Sequence, residues 1–599
     1  MLEFLLKFRK NKDFAYRSLR KKLLKNHFRL QGCRAKNRDL VIGAESNAKT
    51  LQKLTQEKEQ LEKRLIALVG NKYLYLGLSI DMSQIMHGLN PHLVEWGDIS
   101  NHALVLGTTR MGKTKLMLNI IYQNIMRGDN VLVIDPKGGE GLEVLNKMVD
   151  FLVEAKRLDD FLYINPFMPK ATEYFNPLFN LSDDEIASLI ASLLYPNEDT
   201  DSKFYCGYVE TILKALLYSL SYLEAVADAQ HTLRDKIIEE QLERYRMITM
   251  RYPIKKGVPF DLVKEFDDRT PLLPETEIPI FNRSFITFRD ILFYVDRQNL
   301  STLAKAVEIM KSNDPETEML RNQALLQVKK FLRLPDEFNE KISMSLTNFL
   351  SSLSTGVLGN MLCTIKINPI AMRLQNHNAG TIILMHPTPL KAKQTAEHLV
   401  QIVLKSIESL YGNVSLTGRA IHNKRLYLHL DEGESALYKG IQGVLNKGAG
   451  LGQTMFVYTQ SVADLEHKLG ATLAQVAKDS MNTIFVFKMN DASSKANVVR
   501  MFGTQMVMEH SVMHREEGGS ATSFANAEKS FLTTSSIDRL EVGQCFFMNK
   551  NKKSKLFLPY VSDVDKTKGY ITADLQEEEK TAKILLDLES AFHQSREVK

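Results

Sequence analysis

Apolar and polar positions follow two different periods along this chain, and the pattern changes at Leu74 from helical spacing to short apolar strands separated by turns. His102–Leu106 (HALVL) is a short apolar run that predicts a buried strand. Lys113–Arg127 then repeats apolar residues at helical spacing, and Val131–Ile134 (VLVI) predicts the next strand. Because a glycine-rich loop joins the first strand to the helix, this stretch predicts a βαβ unit and a parallel sheet with right-handed crossovers.

Further strand signals return only much later in the chain. They are short, rich in branched or aromatic residues and bounded by polar positions: Thr381–Met385, Leu426–Leu430, Thr454–Tyr458 and Thr483–Phe487. Between about Asp183 and Ile365 helical periodicity dominates, apart from a short strand-like element near Ile278–Phe288. We therefore expect an α/β fold with a mainly parallel sheet and an inserted all-α domain. The alternative is that these helices form the outer layer of one large α/β domain.

Two helical patterns precede the first strand. Residues 1–30 mix Leu and Phe with Lys and Arg, which is typical either of a helix on a membrane surface or of an ordinary docking helix. Residues 47–70 follow an alternating three–four spacing that forms a heptad seam at Leu51, Leu54, Lys58, Leu61, Leu65 and Leu68. That seam could pair two chains or lie against its own domain.

Composition excludes several classes of protein. The 599 residues suggest about three or four domain-sized units. The four cysteines lie far apart, which excludes a disulfide framework and a cysteine-based zinc site and fits a reducing cytosol. No apolar run reaches the roughly 18–20 residues of a spanning helix.

Charge is distributed unevenly. Residues 1–40 contain 13 Lys/Arg and three acids, which makes this arm +10 in a chain of net charge +6. A basic arm on a nearly neutral body suggests an anionic partner, either nucleic acid or a membrane surface. The alternative is a solvated tail without a partner.

The loop between the first strand and the first helix carries phosphate-binding chemistry. It matches GxxxxGK[ST] at every required position, and its expected nucleotide-binding residues are Gly107, Thr108, Thr109, Arg110, Met111, Gly112, Lys113, Thr114 and Lys115. Glycines let successive N–H groups face phosphate oxygens, and Lys113 places a cation on the β- and γ-phosphates. The Thr114 hydroxyl is expected to ligate Mg²⁺. The sequence therefore predicts an ATP and Mg²⁺ site.

Acidic and amide side chains follow two of the later strands. Leu426–Leu430 ends in Asp431-Glu432, where we expect Asp431 to hold Mg²⁺ and Glu432 to polarise the attacking water. Thr454–Tyr458 is followed by Gln460, our candidate sensor of the γ-phosphate. Asp135, after the second core strand, is assigned to site architecture rather than to chemistry. Lys113, Glu432 and Gln460 are thus the expected catalytic residues.

Spacing supports an insertion between the two halves of this site. Lys113 and Asp431 lie 318 positions apart (431 minus 113), whereas a compact domain usually closes within about 100–200 residues. Five segments follow: a basic arm with a coiled-coil-like helix (1–70), two parts of the nucleotide-binding domain (71–182 and 366–562), the all-α insertion between them (183–365) and a charged tail (563–599).

Together these motifs resemble the type IV coupling proteins, the TraD/TraG family of conjugative DNA-transfer ATPases. The resemblance runs from about Leu74 to Lys550 and rests on the order of several segments: HALVLGTTRMGKT, NVLVIDPKGG, Phe175–Leu178 (FNPL), Phe204-Tyr205, LDEG, Asn446–Gly448 with Thr459-Gln460, and Asn482–Asp491 (NTIFVFKMND).

The resemblance implies a RecA-like P-loop ATPase core with an all-α domain near the DNA entrance, assembled as a homo-hexamer around a channel, or as a monomer in isolation. It implies a protein that brings the relaxase, within its relaxosome, and single-stranded DNA to a type IV secretion channel, with that channel's ATPases and membrane components as partners. We expect a cytoplasmic location, peripheral at the cytoplasmic face of the inner membrane.

The sequence departs from this family in two places. Members typically carry two N-terminal transmembrane helices, and none is predicted here, so the basic arm or a separate membrane protein could provide attachment, or the N-terminus is unusual or incomplete. The loop before the sensor strand often holds an arginine, where this chain has Ala449; Lys447 or Arg500 could substitute for it.

Two other functions remain open at this level. One is a motor of the FtsK/HerA type that moves double-stranded DNA. The other is a recruitment platform that binds protein substrates and uses ATP to control assembly.

Overall fold

The computed structural model describes residues 15–31, 44–82, 88–99, 101–136, 143–166, 172–195, 200–227, 237, 240–241, 283–333, 336–375, 380–387, 393–417, 424–437, 441–514, 520–559 and 561. The predicted charged tail (563–599), residues 1–14 of the arm and Lys137–Gly139 lie outside these ranges. Contacts divide the chain into two compact units, which comprise residues 1–131 with 425–563, and residues 132–424 with 564–599.

The first unit contains the glycine-rich loop and most of the strands. Its strands are β1 (Tyr73–Asp81), β2 (Asn90–Glu95), β3 (Ala103–Leu106), β7 (Leu426–Leu430), β8 (Gln453–Thr459), β9 (Thr483–Val486), β10 (Thr504–His514), β11 (Ser520–Ser530), β12 (Gln544–Asn549) and β13 (Lys552–Phe557). Its helices are α1 (15–31), α2 (Ala44–Val69), α3 (Lys113–Arg127), α14 (Gly433–Ala436), α15 (Gln442–Lys447), α16 (Val462–Leu469), α17 (Ala471–Ser480), α18 (Ala492–Phe502) and α19 (Thr534–Asp538).

The sheet of this unit runs in the order β2-β1-β13-β12-β9-β3-β8-β7. Strands β9, β3, β8 and β7 are parallel neighbours, as the βαβ pattern predicts. Strands β2, β1, β13 and β12 extend the sheet as an antiparallel group. Within the part of the chain that the structure describes, strands β10 and β11 pair only with each other.

The second unit holds the helical block. Its strands are β4 (Asn130–Ile134, which starts with the last two residues of the first unit), β5 (Phe161–Ile164) and β6 (Ile382–Met385), in the order β4-β6-β5. Its helices are α4 (Glu143–Ala155), α5 (Asp183–Leu194), α6 (Thr200–Ala227), α7 (Phe288–Tyr294), α8 (Arg297–Ile309), α9 (Pro315–Leu332), α10 (Asp336–Ser354), α11 (Gly356–Cys363), α12 (Pro369–Gln375) and α13 (Lys393–Thr417), with a short 3₁₀ turn at Leu158–Asp160.

The expected α/β class with a mainly parallel sheet and an all-α insertion is confirmed. The described residues between Asp183 and Gln375 form helices and connections without a strand. The strand-like element proposed near Ile278–Phe288 is wrong for its described part, because residues 283–287 are not extended in a sheet and α7 begins at Phe288. Thr287 caps that helix by accepting a hydrogen bond from the Asp290 N–H. Because this cap starts a helix at Phe288, the apolar residues around it do not form a strand. The exact domain boundaries stay a prediction.

The FNPL turn ties the helical block to the rest of the second unit. Asn176 is fully buried, and its side-chain amide donates to the carbonyls of Ile286 and Lys366, both at 2.9 Å. Its backbone N–H donates to the Ile367 carbonyl at 2.8 Å. One side chain thus satisfies two backbone carbonyls that belong to separate segments.

The heptad seam packs inside its own unit. Leu54, Leu61 and Leu65 are buried, and Lys58 between them is 8% exposed. The Lys58 ammonium lies 3.5 Å from both the Leu558 carbonyl and the Glu62 carboxylate, which compensates the buried charge. Of the two roles left open for this seam, the structure therefore shows packing against its own domain.

No helix among the described residues is both long and apolar enough to cross a bilayer.

Candidate nucleotide site

The predicted phosphate-binding loop starts from a fully buried strand. All four residues of β3 have no exposed surface. Beyond them, Gly107 N–H donates to the Thr459 carbonyl at 3.3 Å, and Thr108 N–H donates to the Lys488 carbonyl at 2.9 Å. A side chain at Gly107 would place its Cβ 2.4 Å from the Phe487 Cβ, so only glycine fits there. The start of the loop is therefore clamped between the ends of two neighbouring strands.

The loop turns into α3 through two left-handed residues. Arg110 has φ 62° and Gly112 has φ 113°. In the described structure no side chain caps the start of α3, whose N-cap is Gly112. This is the backbone arrangement in which a helix N-terminus can receive phosphate oxygens. The other predicted loop residues lie at its surface: Thr109 is exposed, and Thr108, Met111, Thr114 and Lys115 are half-buried.

Lys113 points back into the loop. Its ammonium donates to the carbonyls of Gly107 and Thr108, the latter at 3.2 Å, and the residue is 8% exposed. A buried ammonium held at the mouth of a phosphate-binding loop supplies the cation that ATP phosphates require. The loop therefore fits the nucleotide that the sequence predicts.

The predicted sensor follows β8, which is next to β3, and the predicted acidic pair follows β7, on the far side of β8. Leu106 pairs with Thr459 and Leu430 pairs with Val457, so β8 lies between β3 and β7. Strands in a sheet are about 4.8 Å apart, which places the carboxyl ends of β3 and β7 roughly 10 Å apart. The phosphate-binding loop, Gln460 and Asp431-Glu432 thus leave the same edge of three adjacent parallel strands, where ligands bind in α/β folds.

Asp431 and Glu432 are not a surface pair that caps the following helix. Asp431 is 5% exposed and accepts a hydrogen bond from the Glu432 N–H at 3.1 Å. Glu432 is half-buried and left-handed, with φ 44°, and no side chain caps α14 in the described structure. A left-handed non-glycine residue is strained, and such strain concentrates at functional sites. Thr114 and Asp431 offer the hydroxyl and carboxylate oxygens that Mg²⁺ prefers.

Gln460 is half-buried at the end of β8. The next residue, Ser461, caps α16 by accepting a hydrogen bond from the Asp464 N–H at 3.1 Å. The cap fixes the direction of the chain directly after Gln460, so the cap and the sensor roles are compatible.

Two residues of this region were missed by sequence reasoning. The first is Glu434, which lies two residues after Glu432. Burial raises the pKa of its carboxyl, and the negative charges of Asp464 and Glu432 raise it further. A hydrogen bond from Thr459 lowers that pKa and so opposes the shift.

The second is Arg425, which donates to the carbonyl of Ala449 and to the hydroxyl of Thr454, both at 3.2 Å. It thereby holds the loop in which an arginine was expected. Lys447 and Arg500 are both exposed, and their role as the substitute cation stays a prediction.

Asp135 belongs to the second unit and lies in a buried polar chain. Its carboxylate is 3.4 Å from His386 Nε2, and His386 Nδ1 is 2.9 Å from the Tyr163 hydroxyl. Asn165 donates to the same hydroxyl at 2.9 Å, and burial raises the pKa of Tyr163. These residues lie at or next to the carboxyl ends of β4, β6 and β5, which agrees with an architectural role for Asp135.

Fold and loop together define a P-loop nucleotide-binding protein with an α/β core. The chain belongs to the family described as the central domain of the helicase HerA, whose profile matches residues 77–424. Residues 425–542 match a second profile, described as the TraM recognition site of TraD and TraG.

One individual relative is a coupling protein that is similar to part of this chain. Type 4 coupling protein DotL of Legionella pneumophila is 26% identical over 161 residues, which are 24% of this chain and 20% of DotL. The match thus spans about a fifth of that relative's length. The resemblance to type IV coupling proteins is confirmed.

Two solved structures are also similar. The plasmid coupling protein TrwB in complex with ADP and Mg²⁺ has a TM-score of 0.48 and 15% identity, over 80% of this chain and 90% of TrwB. VirB4 of Thermoanaerobacter pseudethanolicus has a TM-score of 0.41 and 13% identity, over 81% of this chain and 96% of VirB4.

Proposed function

We propose that this protein is an ATP-driven coupling protein that recruits a relaxosome and its single-stranded DNA to a type IV secretion system and powers conjugative transfer. The observation that carries the proposal is the convergence of the phosphate-binding loop, Asp431-Glu432 and Gln460 on one edge of three adjacent parallel strands. The profile match over residues 425–542 supports the coupling role, because its description names a recognition site of TraD and TraG.

Each part of the site has a separate role in ATP hydrolysis. Lys113 neutralises the β- and γ-phosphates, and Thr114 and Asp431 would hold Mg²⁺, which supplies charge neutralisation on the phosphate oxygens when bound. Glu432 orients the attacking water, and Gln460 responds to the γ-phosphate. The loop residues Gly107–Lys115 bind the remaining phosphate oxygens through backbone N–H groups.

The partners follow from the same proposal. A relaxase within a relaxosome delivers the DNA, and the ATPases and membrane components of a type IV secretion channel receive it. Assembly is a homo-hexamer at the cytoplasmic face of the inner membrane, with a cation such as Lys447 or Arg500 completing the neighbour's site.

ATP turnover with and without single-stranded DNA tests the motor. Wild type is expected to show turnover that DNA stimulates, and Lys113→Ala and Glu432→Gln are each expected to lower it by at least about a hundredfold. Glu432→Gln should still bind ATP, because it retains every phosphate contact. Lys72→Ala removes an exposed lysine at the edge of the first unit and should leave turnover unchanged. Absence of turnover in wild type with DNA present would refute the motor and favour the recruitment platform.

A second candidate is a motor for double-stranded DNA, which the match to the HerA central domain favours. Comparison of single-stranded and duplex DNA as stimulators separates the two. Stronger stimulation by the duplex would replace the conjugative proposal with this one.

A further inference from the structure

Helix α1 presents an exposed face that is entirely basic in charge. Residues 15–31 contain no acid, and their six cationic residues are all exposed: Arg17, Arg20, Lys21, Lys22, Lys25 and Arg29. Four of these residues recur at every fourth position from residue 17 to residue 29. At 1.5 Å per residue they extend over about 18 Å of helix.

The opposite face of α1 is buried in the first unit. Leu23 is 1% exposed and Leu30 is 4% exposed. Asn26 donates to the Glu57 carboxylate of α2 at 3.1 Å, and the His27 ring lies edge-on to Phe557 of β13 with centroids 5.7 Å apart. Helix α1 is therefore docked against the first unit through this face, and its cations lie outside that contact.

One aromatic side chain lies among these cations. Phe28 is 62% exposed and sits between Lys25 and Arg29 in the sequence. Eleven residues separate it from Arg17, and three helical turns are 10.8 residues, so Phe28 lies on the side of α1 where the cationic row begins. An exposed phenyl ring between cations offers a base a stacking surface beside its own phosphates.

The buried face decides between the two anionic partners that the sequence leaves open. A helix that lies on a membrane buries its apolar face in the headgroup and acyl boundary. The apolar face of α1 is already buried in protein, and its exposed side chains are six cations, Phe28 and Gln31. Single-stranded nucleic acid uses both groups, because its phosphates pair with cations and its unpaired bases stack on an aromatic ring.

We propose that the exposed face of α1 binds single-stranded nucleic acid, with its cations on phosphates and Phe28 stacked against a base. This inference deepens the proposed function and depends on its DNA substrate. It assigns a binding site to the docked helix rather than to the whole basic arm.

The test measures how strongly the full chain binds a fluorescent oligothymidine at a series of salt concentrations. Lys21→Gln/Lys25→Gln removes two phosphate contacts and is expected to lower the slope of log K against log salt by about 1.4, since each contact on a single strand contributes roughly 0.7. Phe28→Leu is expected to lower affinity by about fivefold or more and to leave the slope unchanged, because stacking releases no counterion. These two signatures distinguish charge from stacking.

Lys329→Gln/Lys330→Gln is the matched control, because it removes two exposed lysines from α9 in the second unit. It should change neither slope nor affinity. An unchanged slope in Lys21→Gln/Lys25→Gln, or an equal loss in the control, would overturn the proposal. If Lys21→Gln/Lys25→Gln instead lost binding to phosphatidylserine vesicles and still bound oligothymidine like wild type, the exposed face would be assigned to a membrane surface.

Basal ATP turnover, measured on the same samples, keeps this inference separate from the proposed function. All variants of α1 should retain it, which also shows that they fold. Wild type that hydrolyses ATP but binds no oligothymidine would overturn the inference and leave the ATPase standing.

Discussion

Glu432 combines a proposed catalytic role with a backbone conformation that costs free energy. Its φ of 44° is left-handed, and a non-glycine residue there costs about 1–2 kcal/mol. The residue before it is the buried Asp431, so the sharp turn separates a carboxylate directed into the protein from one that is half-buried. The strain is thus consistent with a site that places two adjacent carboxylates in different surroundings.

Replacement of Glu432 by glycine should therefore stabilise the protein while it removes activity. We expect Glu432→Gly to raise the free energy of unfolding by about 1 kcal/mol, because glycine adopts this conformation without strain. ATP turnover should fall to the level of Glu432→Gln. Lys156→Gly is the control, since Lys156 is exposed with φ 58°; it should give a similar gain in stability with full turnover. Chemical unfolding measures the change in stability, and an ATPase assay measures turnover. Retained turnover in Glu432→Gly would show that Glu432 has no role in hydrolysis.

His429 makes stability depend on pH. It is fully buried in β7, where its ring stacks on Phe456 and its Nδ1 lies 3.0 Å from the Tyr458 hydroxyl. Burial lowers the pKa of His429 to about 3. The unfolded chain binds this proton below about pH 6.5, whereas the folded chain binds it only near pH 3, so stability falls as pH falls through that window.

At pH 5 this histidine should lower the free energy of unfolding by about 2 kcal/mol relative to pH 7. His429→Gln cannot titrate, and its unfolding curves should lose that part of the pH dependence. Equal pH dependence in wild type and His429→Gln, by urea unfolding, would show that the proton binds elsewhere.

At the scale of elements, α2 shows that a sequence pattern can predict a helix but not the surface against which that helix packs. Leucines at heptad spacing predict one apolar stripe, and a stripe can pack equally well on a second chain or on its own domain. The structure resolves this through contacts distant in sequence: Lys58 reaches the Leu558 carbonyl, and the Tyr75 hydroxyl is 3.1 Å from Glu62. Those partners could not be read from residues 47–70.

Leu65→Ala should therefore lower the folding stability of the chain without changing its self-association. Leu65 has no exposed surface, so we expect a loss of about 2–5 kcal/mol in the free energy of unfolding. Gln60→Ala, at an exposed position of the same helix, should change stability by less than about 0.5 kcal/mol. Thermal unfolding measures the first effect and sedimentation equilibrium the second. A lowered association constant in Leu65→Ala at unchanged stability would restore the coiled-coil interpretation.

At the scale of the whole molecule, every predicted nucleotide contact lies in one of the two units. Gly107–Lys115, Asp431-Glu432 and Gln460 all belong to the first unit, although 318 positions separate Lys113 from Asp431. A ligand that binds only the folded state stabilises the structure that holds it. The nucleotide should therefore act first on the first unit.

Saturation with ATP and Mg²⁺ at a hundred times the dissociation constant should add about 2.7 kcal/mol to the free energy of unfolding. Hydrogen exchange is expected to slow in β3, β7 and β8, whose carboxyl ends carry the site. Lys113→Ala should abolish both effects at the same nucleotide concentration. Protection confined to the helical block would show that the nucleotide binds elsewhere.

The amino-acid sequence by itself determined the local parts of this protein. Lys113–Arg127 and Leu426–Leu430 have the bounds that periodicity predicts, because an apolar period and a glycine-rich loop act over a few residues. The order of the motifs was sufficient to indicate the nucleotide site and its family. The antiparallel strands β12 and β13 and the isolated pair β10 and β11 were not predicted, since mixed polar strands such as Lys552–Phe557 lack a period that distinguishes them.

Only the tertiary structure decided how distant residues meet. It placed β8 between β3 and β7, so that Gln460 leaves the sheet between the phosphate-binding loop and Asp431. It also buried the seam of α2 and one face of α1, and thereby left the cations of α1 on its exposed face. The physical reason is common to all three: a pattern specifies which face of an element avoids water, while the partner that covers this face comes from far along the chain.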